Sequence, residues 1–156
     1  MYINPKDNIK LSNVVSKKYK FNIKDMEKTL SSFLNEIDNN NLIPQGLCFY
    51  TINNIPLDEI IEGEFFISVK NELAEDLNGL EFQTYFSIEN MISTCIYGDF
   101  ESNTEKAYYV LLKYIEENNL TQITPIFNVM AGDNELQYMF IKVGVSQRLE
   151  KSEYFN

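Results

Sequence analysis

The chain has 156 residues, enough to bury a sizeable core, and 44% of them are hydrophobic against 23% charged, the balance of an ordinary globular protein. Its net charge of −10 repels phosphate backbones and anionic lipid headgroups, so neither nucleic acid nor a membrane surface is an expected partner. Histidine is absent and cysteine occurs twice, which removes imidazole acid–base chemistry and leaves no ligand set for a transition metal; no cofactor is expected.

Residues 1–9 read as a polar lead-in without a signal-peptide pattern, and no apolar run approaches the ~20 residues that span a bilayer. A cytoplasmic location is expected on that basis. From Lys10 to Phe21, Val15, Tyr19 and Phe21 recur at even spacing and predict a strand, with Lys17 interrupting its apolar face. Asn22 offers an N-cap and Asp25 a first-turn anion for a helix whose stripe is Met26, Leu30, Phe33, Leu34 and Ile37. Asn39–Asn41 ends that helix. Pro44–Gly46 reads as a turn, Leu47–Ile52 as a strand, and the next stretch as a loop with a helical turn around Leu57–Ile61. Glu64–Val69 is a further strand, and the polar stretch 70–79, with its Asn78-Gly79 turn, connects the halves.

The second half repeats this order. Phe86–Phe100 is a strand candidate with Ile88, Ile92 and Ile96 at even positions. Ser102 and Glu105 have the spacing of a capping box, and Ala107, Tyr108, Leu111, Leu112 and Ile115 form a helical stripe reaching about Asn119. Pro125–Met130 is a strand, Ala131–Asn134 a hairpin turn, and Leu136–Val145 the last strand; the tail from Ser146 is not placed. An offset of 78 residues carries Glu27-Lys28 onto Glu105-Lys106 and Asn41-Leu42 onto Asn119-Leu120, and an offset of 74 carries Phe66–Val69 onto Phe140–Val143. The architecture expected is therefore α+β: one domain over 1–156, built from two β-α-β-β units (about 10–70 and 85–146) related by a pseudo-two-fold axis, with Met91–Phe100 the counterpart of Val14–Phe21.

The series Cys95–Phe100, the helix carrying Tyr108, Tyr109 and Leu111, then Asn119-Leu120, Pro125 and the closing strand 135–145 resembles a GyrI-like small-molecule-binding domain, a family that also supplies effector domains to multidrug-responsive regulators. The resemblance implies an antiparallel sheet of duplicated units with a ligand groove between them. It also implies a buried glutamate and tyrosines facing lipophilic cations, which by position are Glu64, Tyr138, Tyr97 and Glu135. Phe49–Glu59 followed by Glu64–Ile67 is similar to the central segment of an uncharacterised Firmicute family encoded near type VII secretion toxin loci, which implies a gene neighbourhood more than a mechanism; the alternative function expected is an accessory or adaptor protein of such a locus, acting by contacts with the product of a neighbouring gene. The GyrI-like family includes hydrolases that use a glutamate beside aromatic rings, although this chain lacks the Trp that would strengthen that reading.

Alternation sorts the closing strands into two faces. Phe65, Ile67 and Val69 in one half and Met139, Ile141 and Val143 in the other should pack under the helices. The opposite face carries Glu62, Glu64, Phe66 and Ser68, and Leu136, Tyr138, Phe140 and Lys142. Glu64, Phe66, Tyr97, Tyr138 and Phe140 are the candidate ligand-binding residues, since rings beside a carboxylate suit an amphipathic cation. The same face fits better still a half-exposed antiparallel sheet whose aromatics simply pack across strands. The acidic group Asp58, Glu59, Glu62 and Glu64 lacks calcium-loop spacing, and no phosphate loop or nucleophile elbow occurs. Cys48 and Cys95 read as small buried side chains that could meet across a sheet. The function expected is non-catalytic binding of a small molecule or peptide.

Overall fold

The computed structural model describes residues 1–54, 58–133 and 135–148. Two β-α-β-β units are arranged in tandem. The first comprises β1 (Asn4–Asn22), α1 (Met26–Asn39), β2 (Pro44–Ile52) and β3 (Ile60–Val69); the second comprises β4 (Glu81–Tyr97), α2 (Phe100–Glu117), β5 (Leu120–Gly132) and β6 (Gln137–Gln147). All six strands pair antiparallel and close into a barrel in the order β1-β3-β2-β5-β6-β4, with both helices on its outer surface. The expected α+β class, an antiparallel sheet built from duplicated units, is the observed one. Among the described residues no helix is long and apolar enough to cross a membrane.

The sheet faces fall as alternation predicted. Phe65, Ile67 and Val69 pack with Phe33 and Ile37 of α1, while Met139, Ile141 and Val143 pack with Ala107, Leu111 and Ile115 of α2. A third cluster fills the barrel from within: Phe49, Phe66 and Phe127 are buried there beside Met91 and Val129, with Phe86 and Phe140 partly covered. Phe49 stacks on Phe66 with centroids 4.8 Å apart and planes 4° from parallel. Lys17, which interrupted the apolar face of β1, is accommodated on the α1 side by Glu36, whose two oxygens accept from Lys17 Nζ and the Tyr19 hydroxyl, each at 2.6 Å.

Several boundaries differ from expectation. Residues 4–9 are not a lead-in but part of β1, paired to β4 through Asn4–Ser93, Asp7–Met91 and Ile9–Ile88, and Ile9 is buried. Pro44–Gly46 belongs to β2 rather than to a turn, because an irregularity between Pro44 and Cys48 absorbs the proline without breaking the pairing with β3. Leu57 lies outside the described residues, and Asp58-Glu59 form a turn with φ of 56° and 63° from which β3 starts at Ile60, in place of a helical turn. The capping box at Ser102 does not form: α2 begins at Phe100, two residues earlier, behind a left-handed Asp99, and Asn103 donates its side-chain amide to the Gly98 carbonyl. Asn22 caps only a single 3-10 turn, residues Ile23–Asp25, ahead of α1. Asn134 of the predicted hairpin turn and the tail from 149 lie outside the described residues.

The two units are related strand by strand. Tyr50 pairs with Asn128 across the β2–β5 seam, so the pseudo-axis passes between two residues that are themselves 78 apart. Asn41 and Asn119, also 78 apart, both end their helices at positive φ. The first strands correspond at 77, Val15 facing Ile67 as Ile92 faces Val143, which sets the last strands at 76 rather than the 74 read from the sequence. Because both offsets are even, the error left every side chain on its correct face.

The offset of 77 also pairs Asn13 with Asn90, and both are left-handed, at φ 55° and 58°. Each one reverses the alternation. Leu11 and Val14 both face the barrel interior, as do Ile88 and Met91, whereas Val15 and Ile92 face the helices. Ile88, Ile92 and Ile96 therefore do not share a face as their even spacing suggested; the extra residue is a bulge in β4 itself, where the three steps from Ile88 to Met91 face the two from Asp7 to Ile9 on β1. Asparagine tolerates this conformation where a branched residue does not. Replacing Asn90 with Gly should leave stability nearly unchanged, with Ala should cost about 1 kcal/mol and with Val more, as read from urea midpoints of the three variants.

Candidate functional site

A cleft of about 580 Å³ opens at one mouth of the barrel, and two of the five predicted residues, Glu64 and Phe66, line it. Its floor is the edge of the internal aromatic cluster, where Phe86 is partly exposed over the buried Phe66 and Phe127, the three ring centroids lying 5.5–6.1 Å apart in tilted and edge-on pairs. Packed this way the rings hold one another, so the floor is preformed. Strand register places Glu64 above it: on β3 the residue lies between Lys18 of β1 and Thr51 of β2, and both of these also line the cleft. Gln83 and Tyr85 on β4 form one wall, and Ile123, Thr124 and Pro125 on β5 the other. The β5 wall exists because the β5–β6 ladder is interrupted between Gln122 and Ile126, where Thr124 instead accepts the Gly144 N–H on its hydroxyl at 2.8 Å. A side chain at 144 would collide with Thr124, its Cβ falling 2.6 Å from Cγ2.

The other three predicted residues gather elsewhere. Tyr97 and Tyr138 are cross-strand partners with rings 5.8 Å apart, and Tyr138 meets Phe140 edge-on at 5.6 Å. This row lies at the β4–β6 side of the barrel, with Tyr97 62% exposed, and it does not line the cleft. Phe140 reaches the same internal cluster as Phe66 from the opposite side. Glu135 is exposed in the β5–β6 connection, where its N–H donates to Asp133. The two cysteines are both free and only half buried, and they occupy opposite faces: Cys48 packs with the α1 core, where burial pushes its thiol up to about 12, and Cys95 opposes Phe140. They do not meet across the sheet. Among the described residues no group of three or more His, Cys, Asp or Glu is arranged to hold a metal, and Glu59 of the acidic stretch turns instead toward Lys24, 3.8 Å away.

The pseudo-axis explains why the Glu64 mouth differs from its counterpart. Glu64 corresponds to Phe140, since Lys18–Glu64–Thr51 across three strands matches Cys95–Phe140–Val129. Phe66 corresponds likewise to Lys142, opposite Ser93 as Phe66 is opposite Ser16. Lys142 is drawn in, 3.3 Å from Asp7 and 5.7 Å from the centre of the Phe140 ring, while Asp7 accepts from the Ser93 hydroxyl at 2.6 Å. Although burial opposes it, Ser93, the Asn8 N–H and Lys142 hold the Asp7 carboxyl below its usual range. Sequence reading missed Phe86, Phe127, Lys18 and Thr51 as lining residues. Phe127 was recoverable, because the offset of 78 lays it on Phe49; Lys18 and Thr51 required the strand register.

The chain belongs to the family described as Domain of unknown function (DUF5085), whose model matches residues 10–147. No curated protein matches it. Among solved structures it is similar to the EcmrR C-terminal domain, at 15% identity and a TM-score of 0.72 over 94% of this chain and 99% of that one. It is also similar to EcmrR in a cryo-EM complex with DNA, at 16% identity and 0.74 over 93% of this chain, which spans 58% of that one. A hydrolase from Listeria innocua shares the fold at 11% identity, with a TM-score of 0.58 over 90% of this chain and 91% of that one. At these identities the likeness is one of fold, the GyrI-like type.

Within the cleft, Glu64 is the lining carboxylate, and burial raises its pKa above the usual 4.5 against the opposing pull of the Ser16 hydroxyl and Lys18; Glu81 adds to the rise. The folded chain therefore holds this proton to a higher pH than the unfolded chain does. The stability it confers is complete below the unfolded value and is lost as pH rises through the folded one. The variant E64Q should consequently melt slightly above the wild type at pH 7, the gap closing as the buffer is taken down toward about pH 4; a melting series across that range by differential scanning fluorimetry reads it directly.

Proposed function

We propose that this DUF5085 chain is a non-catalytic binding domain whose cleft takes a small lipophilic cation, with Glu64 as its counter-charge and Phe66, Phe86 and Phe127 as its platform. The observation that carries this reading is the juxtaposition itself: a partly desolvated carboxylate whose pKa is already raised, set over a preformed aromatic floor. A lipophilic cation satisfies both halves of such a site, because its charge stabilises the desolvated carboxylate while its apolar body covers the rings. A cleft of this size accommodates a drug-sized molecule. Lys18 competes for Glu64 in the empty site, so the ligand has to displace or reorient that ammonium, which favours bulky cations of diffuse charge over small hydrated ones.

The fold shared with the EcmrR C-terminal domain is consistent with an effector-binding role, exercised in the cytoplasm and, given the net charge of −10, without direct contact to nucleic acid. Tyr97, Tyr138 and Phe140 enter this reading as indirect supports of the aromatic cluster rather than as contacts. The alternative, an adaptor for a secretion or toxin locus, gains no support from the geometry: the sheet closes into a barrel, and strand edge is left unpaired chiefly where β2 and β5 splay apart on either side of Phe49–Thr51, which offers a partner little to extend.

Isothermal titration with tetraphenylphosphonium, with uncharged triphenylphosphine oxide as control, tests the proposal. Saturable binding of the cation is expected, weakened about tenfold in E64Q and declining in the wild type as pH falls through the raised Glu64 pKa. Equal binding of the cation by wild type and E64Q would rule Glu64 out as the counter-charge.

A further inference from the structure

The connection between the two units, residues 70–80, ends in a tight reversal that the proposed function does not use. Leu77 and Leu80 exchange backbone hydrogen bonds at 3.0 and 2.8 Å around the pair Asn78-Gly79, whose φ angles are both positive, 49° and 84°. A two-residue turn of this hand selects Asn followed by Gly, because both positions are left-handed. Both residues are exposed, and a Cβ at 79 would have only Lys17 Nζ nearby, at 4.0 Å. Among the described residues the Gly79 N–H has no hydrogen-bond partner. The Asn78 side chain, in contrast, is engaged: its Nδ2 donates to Asn40 Oδ1 at 2.7 Å. Asn40 follows the last residue of α1 and commits its own Nδ2 to the Glu36 carbonyl, also at 2.7 Å. One side-chain amide thus fastens the tip of the connection to the end of α1. Leu80, directly after the turn, is 1% exposed in the α1 core.

We propose that Asn78 is a site of spontaneous deamidation, and that its conversion to aspartate or isoaspartate unfastens the connection from α1. Asparagine is chemically labile, most of all ahead of glycine, where no side chain shields the following nitrogen. The Gly79 nitrogen, having lost its proton to hydroxide, attacks Asn78 Cγ. The N–Cγ bond forms, the Cγ–Nδ2 bond breaks, and Nδ2 leaves as ammonia with a proton taken from water. Water then opens the cyclic imide. Breaking its bond from nitrogen to Cγ leaves aspartate; breaking its bond from nitrogen to the main-chain carbonyl carbon leaves isoaspartate, in which the chain runs through Cγ. The sum is water taken up and ammonia released, with nothing oxidised or reduced. The closed turn opposes the first step, so the reaction passes through a local opening that breaks the two Leu77–Leu80 bonds and the bond to Asn40.

Either product reverses the fastening. A carboxylate at 78 presents only acceptors to Asn40 Oδ1, and it stands at the C-terminal end of α1, where the helix dipole disfavours an anion. The nearby cation is Lys17, and drawing it over would strip Glu36, which holds both Lys17 Nζ and the Tyr19 hydroxyl at 2.6 Å. Isoaspartate also adds a methylene to the main chain inside a two-residue turn, just ahead of the buried Leu80. The site lies on the α1 side of the barrel, and nothing in it depends on the Glu64 cleft.

The full chain is held in mildly alkaline buffer, folded and in parallel unfolded in guanidinium chloride. Conversion at each asparagine is followed by peptide mapping with mass spectrometry, and isoaspartate is counted by enzymatic methyl transfer. The expected result is conversion at Asn78 ahead of every other asparagine, rising with pH, with both products present and a lower rate in the folded chain than in the unfolded one. N40A, which removes the acceptor that holds the amide, should convert at Asn78 about fivefold faster than the wild type, the weight of one hydrogen bond on the closed turn. Converted protein, separated by its extra negative charge, should melt below the unconverted protein, and N78D should melt below the wild type. Another asparagine converting as fast as Asn78 in the folded chain, no product at 78 while the unfolded chain converts fully, an N40A rate equal to that of the wild type, or unchanged melting of both the converted protein and N78D would each overturn the proposal. Should N40A fail to fold, the comparison of folded and unfolded wild type still decides it. Failure of the phosphonium titration at the cleft would leave all of these readouts standing.

Discussion

A strand whose side chains alternate strictly can serve only one packing partner on each face, and in this barrel β1 and β4 must change partners midway. Their first halves pair with each other and close the barrel; their second halves pair with β3 and β6 and carry the helices. The left-handed Asn13 and Asn90 stand at these transitions, and each inserts the single residue of phase that turns Val14 and Met91 inward and Val15 and Ile92 outward. Without that step the inward set would be Val15 and Ile92 and the helices would rest on Val14, Ser16 and their counterparts, leaving both helix-covered cores short of apolar contacts. The phase step thus precedes everything else, including the arrival of Lys18 and Glu64 side by side at the open mouth.

With the phase set in this way, the barrel interior fills with aromatic rings. Phe49, Phe66 and Phe127 are buried against one another, and Phe86 and Phe140 complete the cluster from the margins. Such a core is stiff, because each tilted or stacked contact fixes the orientation of the next. It leaves the barrel without a central channel, and any ligand on this face meets an edge of the cluster instead of entering it. In the function proposed, recognition at the Glu64 mouth is accordingly a matter of surface complementarity over a rigid floor.

Much of this was legible in the sequence because it depends on period and order. The two helices, the order of strands and the division of Phe65, Ile67 and Val69 from Glu64, Phe66 and Ser68 all derive from spacing, and they survived a two-residue error in aligning the last strands because the sheet repeats every two residues. The left-handed asparagines were not legible, since Asn13 and Asn90 sit in stretches whose composition is that of any polar strand. Nor was the pairing of residues 4–9, which lack periodic apolar character and are held by β4 through backbone hydrogen bonds and the Asp7–Ser93 contact. The false capping box shows the same limit from the other side: Ser102 and Glu105 have the right spacing, but tertiary packing of Phe100 against the α2 core starts the helix earlier. For the candidate site, Glu64 and Phe66 were identifiable from alternation, whereas the separation of Tyr97 and Tyr138 from them depends on which mouth of the barrel each strand end reaches.

The duplication also bears on why the two mouths differ in their chemistry. Both units place three side chains at equivalent points across their strands, yet Lys18, Glu64 and Thr51 in the first are Cys95, Phe140 and Val129 in the second. The first set is charged and hydroxylic over aromatic rings, and stays open. The second set is apolar, and beside it Lys142 occupies the place of Phe66, where it needs the carboxylate of Asp7 to remain buried. That pair fastens β6 to the first residues of β1 and draws the closing seam together, so the lysine that would otherwise repel a cationic ligand is committed to structure. A carboxylate at Phe140 would have Lys142 and Asp7 two residues along the face, and its charge would be divided between them. Glu64 has no such network beyond Ser16 and Lys18, and in the function proposed that comparative isolation is what leaves its charge available to a ligand.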